Sequence, residues 1–215
     1  MGFTAVAVVG GLVLGLVFGG RPSNLGRQPL RWWPVLVLGI LLQAAAEILD
    51  LRESVGLALV YASYGFLIVF ALRNLRLVGM PIVLLGLVLN TLVIGINGGM
   101  PVREEAILAA GDLRPDEIDT VDFGAKRHLE DDSDRLAFLG DVIPVRLTRE
   151  VLSFGDLLLA FGIANVLFRL LRPAGAHGAV GRRGAVERTT GADTDGSVID
   201  SDEARDPVVQ IGSAG

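Results

Sequence analysis

Apolar residues dominate, with no strand-like alternation, five stretches of the chain: residues 4–20, 32–49, 55–72, 78–96 and 151–171. Each is close to the roughly 20 residues that carry an α-helix across about 30 Å of hydrocarbon. Strands would need strict alternation, and an open sheet in lipid would leave its edge amides without partners. The pattern therefore predicts an all-α, polytopic membrane protein with five transmembrane helices. The first run lacks the basic start and the Ala-x-Ala exit of a cleaved leader, so it is expected to stay as a helix.

Basic residues set the orientation. Arg21, Arg27, Arg31, Arg73, Arg76, Arg169, Arg172, Arg182 and Arg183 fall on one side of this topology, whereas only Arg52 lies in a short connection on the other. Nine against one places the N-terminus outside and the C-terminus in the cytoplasm of a multi-pass plasma-membrane protein. Trp32 and Trp33, at headgroup level, would anchor the cytoplasmic side. The dissenting piece is residues 97–150, which lie outside in this topology yet carry seven basic residues against thirteen acidic ones.

That segment is the only sizeable ordered region expected outside the bilayer, making residues 1–172 one transmembrane domain with an extracytoplasmic loop at 97–150. Gly98 and Pro101 should stop the fourth helix. Short helices are expected at 102–111 and 132–139, followed by an apolar stretch at 141–145. Residues 173–215 contain no aromatic side chain and are rich in Gly, Ala, Asp, Arg, Ser and Thr, which predicts a disordered cytoplasmic tail.

Composition narrows the chemistry. Hydrophobic residues make up 51% and charged residues 20%, and there is no Cys, so disulfides, thiolate metal sites and attached c-type haem are excluded. Eighteen of the nineteen Lys and Arg residues are Arg, as in proteins of high-GC genomes. No basic patch interleaved with aromatics points to nucleic acid. The acidic run 130–134 lacks the spacing of a calcium loop and reads as a solvated face. No motif names a cofactor or a metal, and the lipid bilayer is the one certain surrounding. In the first helix, Gly11-x-x-x-Gly15-x-x-x-Gly19 lets another backbone approach closely. Two readings stay open: packing within the chain, or contact with a membrane-protein partner such as a second copy.

Polar side chains within membrane helices are costly and mark candidate sites. Gln43 and Glu47 share a stripe of helix 2, Tyr61 and Tyr64 lie on helix 3, and Asn90 and Asn97 share a face of helix 4. Ser153 and Asp156 share one on the last helix. If that helix begins near Thr148, Asp156 lies below its first turn, beyond a mere dipole role. All these residues fall in the outer half of the bundle, which predicts an outer-leaflet polar pocket of Gln43, Glu47, Tyr61, Tyr64, Asn90, Asn97, Asp141 and Asp156 under loop 97–150. Lys126 and His128 form a candidate loop site; for His128 the plain alternative is a solvated surface residue.

The segments Asn97-Gly98-Gly99-Met100-Pro101, Lys126-x-His128, Leu139-Gly140-Asp141-Val142-Ile143-Pro144 and Ser153-Phe154-Gly155-Asp156 resemble the family of bacterial five-helix membrane proteins called domain of unknown function 5317. The likeness spans residues 1–172 and implies the same topology; it implies no reaction. The first functional reading is a non-enzymatic accessory, sensing or ligand-binding module. The alternative is an intramembrane hydrolase using Glu47, Asp141 and Asp156, loosely like lipoprotein signal peptidases. A transporter is disfavoured, because the inner half lacks a polar path.

Overall fold

The computed structural model describes residues 2–24, 30–49, 51–118, 123–124 and 126–172. The chain divides into two units, Met1–Ala174 and Gly175–Gly215. The expected tail lies outside the described residues.

Five long helices account for the five apolar runs: α1 (Gly2–Val17), α2 (Trp33–Ile48), α3 (Glu53–Arg73), α4 (Met80–Asn97) and α6 (Phe154–Leu171), with the short α5 (Glu104–Ala110) between the last two. Among them α3, α4 and α6 are long and apolar enough to cross a membrane; α1 and α2 are shorter apolar helices. α1 stops at a Schellman turn. Gly19 takes the left-handed conformation (φ 83°), and the Gly20 N–H reaches back to the Gly15 carbonyl at 2.8 Å. Gly98 ends α4 in the left-handed conformation (φ 71°), as Asn97-Gly98-Gly99 predicts.

Successive packing partners give the order α2, α3, α4, α6, α1, and the apolar core lies among α3, α4 and α6. The closest seam joins α4 to α6 through facing glycines seven residues apart on each helix. A Cβ at Gly86 would stand 2.6 Å from the Gly155 carbonyl oxygen, and one at Gly79 would stand 2.9 Å from that of Gly162. The backbones pass where side chains would otherwise hold them apart. The α1 glycine stripe is used the same way. A Cβ at Gly11 would stand 2.7 Å from the Ala164 Cα, and one at Gly15 would meet Leu171, so α6 of the same chain takes up this face. A second copy contacting Gly11 and Gly15 would have to displace α6.

At the end opposite the long loop, asparagines clamp the connections. Asn24 donates to the Leu171 carbonyl at 2.9 Å. Buried Asn74 donates to the Arg31 and Phe70 carbonyls and accepts from the Arg31 N–H. These bonds hold Trp32, the residue before α2, in the left-handed conformation (φ 62°), which costs a bulky residue about 1 kcal/mol. The Arg73 guanidinium lies 4.3 Å from the Trp32 ring centroid, a cation–π contact that offsets part of that cost.

The long loop is a small structured layer, and four short strands qualify the all-α expectation. β1 (Met100–Val102) pairs in parallel with β2 (Arg127–Leu129), and Val102 also bridges to Asp141. β3 (Ile143–Val145) and β4 (Glu150–Leu152) form an antiparallel hairpin. Val102, Ala106, Ile107, Ala110 and Val151 bury a second apolar cluster under α5. α5 meets the expected helix at 102–111 with a later start, because Met100–Val102 are taken by β1.

Two expectations are corrected here. Residues 132–139 form turns and one 3-10 turn (Ala137–Leu139) instead of an α-helix. Leu136 lies at φ 57°, and Asp131 accepts from the Ser133 N–H and hydroxyl, side-chain bonds that compete with helix formation. The last long helix starts at Phe154, not near Thr148, since 150–152 pair as β4 and Ser153 is its cap. Asp156 therefore sits in the first turn.

Candidate functional site

The polar residues of α3, α4 and α6 meet where the loop layer covers the ends of these helices. Ser153 and Asp156 form a reciprocal capping box. The Asp156 N–H donates to Ser153 Oγ at 3.0 Å, and the Ser153 N–H donates to Asp156 Oδ2 at 3.2 Å. Asn90 of α4 extends it: its Nδ2 donates to Asp156 Oδ1 at 2.8 Å, and its Oδ1 accepts from Ser153 Oγ at 2.9 Å. Asn90 is 1% exposed and Ser153 fully buried. The chain of bonds fits only because residue 155 is glycine, since a Cβ there would fall on Asn90 Oδ1. Tyr64 of α3, 2% exposed, sits in hydrogen-bonding reach of Asn90.

Above this network lies Asp141, 1% exposed. Its backbone is woven into the strand ladder: its N–H donates to the Pro101 carbonyl at 2.9 Å, and its carbonyl accepts from the Arg103 N–H at 3.0 Å. Its Oδ2 faces Arg127 Nε at 2.9 Å as an ion pair, off the line of a good hydrogen bond, and its Oδ1 has no hydrogen-bond partner among the described residues. Burial pushes the Asp141 carboxyl up to about 6; Arg127 and Lys126 pull it down, and Asp156 pushes it further up. Burial would lower the Arg127 guanidinium. The negative charges of Asp141, Asp156, Glu47 and Glu150 instead hold it above its ordinary value. Arg127 thus pairs directly with Asp141 and feels the charges of Asp156, Glu47 and Glu150 from farther off, while its own side chain is 43% exposed.

The residues singled out from the sequence divide accordingly. Tyr64, Asn90, Asp141 and Asp156 come together, with Glu47 exposed on α2 but within the field of Arg127. Gln43 is half-buried one turn earlier on α2. Tyr61 spends its hydroxyl on the Ile94 carbonyl at 3.2 Å. Asn97 clamps the loop, donating to the Arg135 carbonyl and accepting its N–H, both at 2.9 Å. Lys126 lies close enough for its charge to act on Tyr64 and Asp141. His128 is half-buried, its Nε2 2.9 Å from Asp134 Oδ1 and its Nδ1 where a Cβ on Gly99 would clash. The acidic run is likewise only partly solvated, since Glu130 takes a two-pronged contact from Arg103.

Sequence reasoning missed Arg127 and Glu150. Arg127 stands between the two loop residues that were noticed, and a buried partner for Asp141 had to come from that basic trio. Glu150 accepts the Phe3 N–H at 2.7 Å and so caps the start of α1 across 147 residues, which no local pattern announces. Ser153 and Asp156, by contrast, are singled out in the sequence as sharing a helix face, and the structure makes them the cap of α6 instead.

Comparison with known proteins yields no match among curated proteins and none among solved structures. A family model described as a family of unknown function does match, over residues 27–168, which run from before α2 to within the last turn of α6. With most of the described helices and the whole loop layer inside that match, the chain belongs to the family of unknown function DUF5317.

Proposed function

We propose that the protein spans the plasma membrane five times with its N-terminus outside, and that it works as a non-enzymatic ligand-binding or sensing module at its outer face. The observation that carries the reading is the union of the Ser153–Asn90–Asp156 hydrogen-bond network, with buried Tyr64 near it, and the Asp141–Arg127 pair, at the end of the helices covered by a folded loop layer. Polar groups of this kind are expensive within a bilayer and are kept where they serve a site. α1 and α2 have 16 residues each, about 24 Å of helix. Tilt of the other helices, local thinning and extended flanking residues accommodate such a mismatch. At the opposite end, Arg73 over Trp32 and Arg172, 5.0 Å from the Phe168 ring centroid, supply the cations and aromatics of a cytoplasmic headgroup level.

The hydrolase alternative gains nothing from this geometry. A carboxyl pair sharing one proton needs two carboxyls in direct contact; Asp156 is bonded to Asn90 and the Ser153 N–H, and neither oxygen of Asp141 is hydrogen-bonded to another carboxyl among the described residues.

Two experiments test the proposal. The exposed Ser23 lies in the turn after α1. As the sole cysteine of a Ser23→Cys variant, it should resist an impermeant thiol reagent in intact cells and react after lysis; labelling from outside overturns the orientation. For the site, protein extracted with its native lipids should carry a small molecule of defined mass in native mass spectrometry. Arg127→Ala should lose that mass, read at a temperature where the variant keeps its wild-type helical signal, since removing the cation beside buried Asp141 also lowers stability. A bare protein, or the same adduct in both, counts against the binding reading.

A further inference from the structure

Asp141 is bound into the ladder by its own backbone. Its N–H and C=O are both paired to the strand that continues from α4, which fixes its Cα, and in that place the residue is 1% exposed. Parting the ladder would free the carboxyl to reach water. Among the described residues, the charged or titratable groups that act on it are Arg127 and Lys126 from β2 and its approach, Asp156 from α6, and Tyr64 from α3. The Arg103 guanidinium, on the ladder's other flank, is engaged by Glu130. One good cation contact, on one oxygen, therefore faces a buried carboxylate whose second oxygen has no partner among the described residues and which shares its surroundings with another carboxylate. A proton on Asp141 would remove that imbalance without moving any backbone.

We propose that the β1, β2 and Asp141 ladder is a proton-set lid, closed while Asp141 is neutral and loosened when it ionises. The lid idea rests on the ladder's own bonds and holds whether or not a ligand sits beneath it. Its direction follows from linkage. A carboxyl whose proton is held more tightly in the closed form than in water stabilises that form at low pH, and the benefit is lost as pH rises through the raised value. With Asp141 near 6 in the closed form and near the ordinary value of about 4 once hydrated, the loosening runs from about pH 4 to pH 6 and levels off above that.

The test is amide hydrogen exchange on the full-length protein in lipid nanodiscs, with rates at each pH divided by the intrinsic chemical rate. The reporters are the ladder amides of Met100, Arg103, Glu130 and Asp141. Their protection should be greatest at about pH 4 and below and fall at least about tenfold by pH 7, levelling off above about 6. Asp141→Asn should hold high protection throughout. Arg127→Gln removes the offsetting cation, so the pH at which the fall levels off should rise by about one unit or more. If Asp141→Asn does not fold, Arg127→Gln decides alone. Protection that is flat with pH in wild type, an identical fall in Asp141→Asn, or an unmoved levelling point in Arg127→Gln overturns the proposal.

Discussion

A single methyl group added at Gly155 is expected to destabilise the protein by about 3 kcal/mol, the upper part of the range for overpacking a rigid site. The new Cβ would fall on Asn90 Oδ1 and lie 2.6 Å from Asn90 Cγ and 2.8 Å from the Gly86 carbonyl oxygen. Neither neighbour can yield easily. The Gly86 oxygen is backbone of α4, and Asn90 is fixed by its bonds to Ser153 and Asp156. Relief requires α4 and α6 to separate, and that opens the contacts on both sides of Gly86, whose own Cβ position is 2.9 Å from the Leu159 N. The control is Gly95→Ala. That glycine lies within α4 with nothing within 4 Å of its Cβ position, so alanine there should be neutral or slightly stabilising. Thermal unfolding in one detergent compares the two directly. A Gly155→Ala protein melting with wild type would mean that the α4–α6 seam is looser than its backbone distances imply.

That seam also marks where sequence reading reached its limit. The five helices were legible because a chain in lipid must bond its own backbone, so long apolar runs have one solution. The end of α4 was legible because Gly98 supplies a left-handed cap at no side-chain cost. The glycines at 79, 86, 155 and 162 were overlooked because each helix carries only two of them at a seven-residue interval, and their meaning lies in facing each other across an antiparallel pair. The α1 stripe has the more familiar four-residue spacing, and its Gly11 and Gly15 lie against α6, while Gly19 has nothing within 4 Å of its Cβ position.

The site was half legible for a related reason. Depth along a helix is a one-dimensional quantity that sequence supplies, and it put Tyr64, Asn90 and Asp156 at one level. Direction is not, so Tyr61 and Asn97 were grouped with them although their polar atoms serve backbone groups. The start of α6 was displaced because residues 150–152 are apolar enough to read as helix yet pair with β3. Asp156 moved from the middle of a helix to its cap, where its charge is favoured by the helix end as well as by Ser153. Arg127 had no periodic signal at all. Its part follows from a parallel strand pair that brings residue 127 beside residue 100, and a loop of 24 intervening residues gives no hint of that register.

Replacing Asn90 by leucine, close to it in size, is expected to cost about 2–3 kcal/mol, because the loss falls on groups that stay buried. The amide donates to Asp156 Oδ1 and accepts from Ser153 Oγ at once. Leucine leaves a carboxyl oxygen with one donor fewer and a fully buried hydroxyl without its acceptor, in a seam too tight to admit water. Average interhelical hydrogen bonds in membrane proteins are worth less, about 0.6 kcal/mol, because the separated helices find other partners. Asn90 should exceed that average, since its partners also form the α6 cap and remain in place when it is removed. A double-mutant cycle separates the contributions: Ser153→Ala alone loses the cap, Asn90→Leu alone strands two partners, and the pair together should cost at least about 1 kcal/mol less than the sum. Strict additivity would show that Asn90 and Ser153 act independently, and the network would then reduce to an ordinary helix cap beside a buried amide.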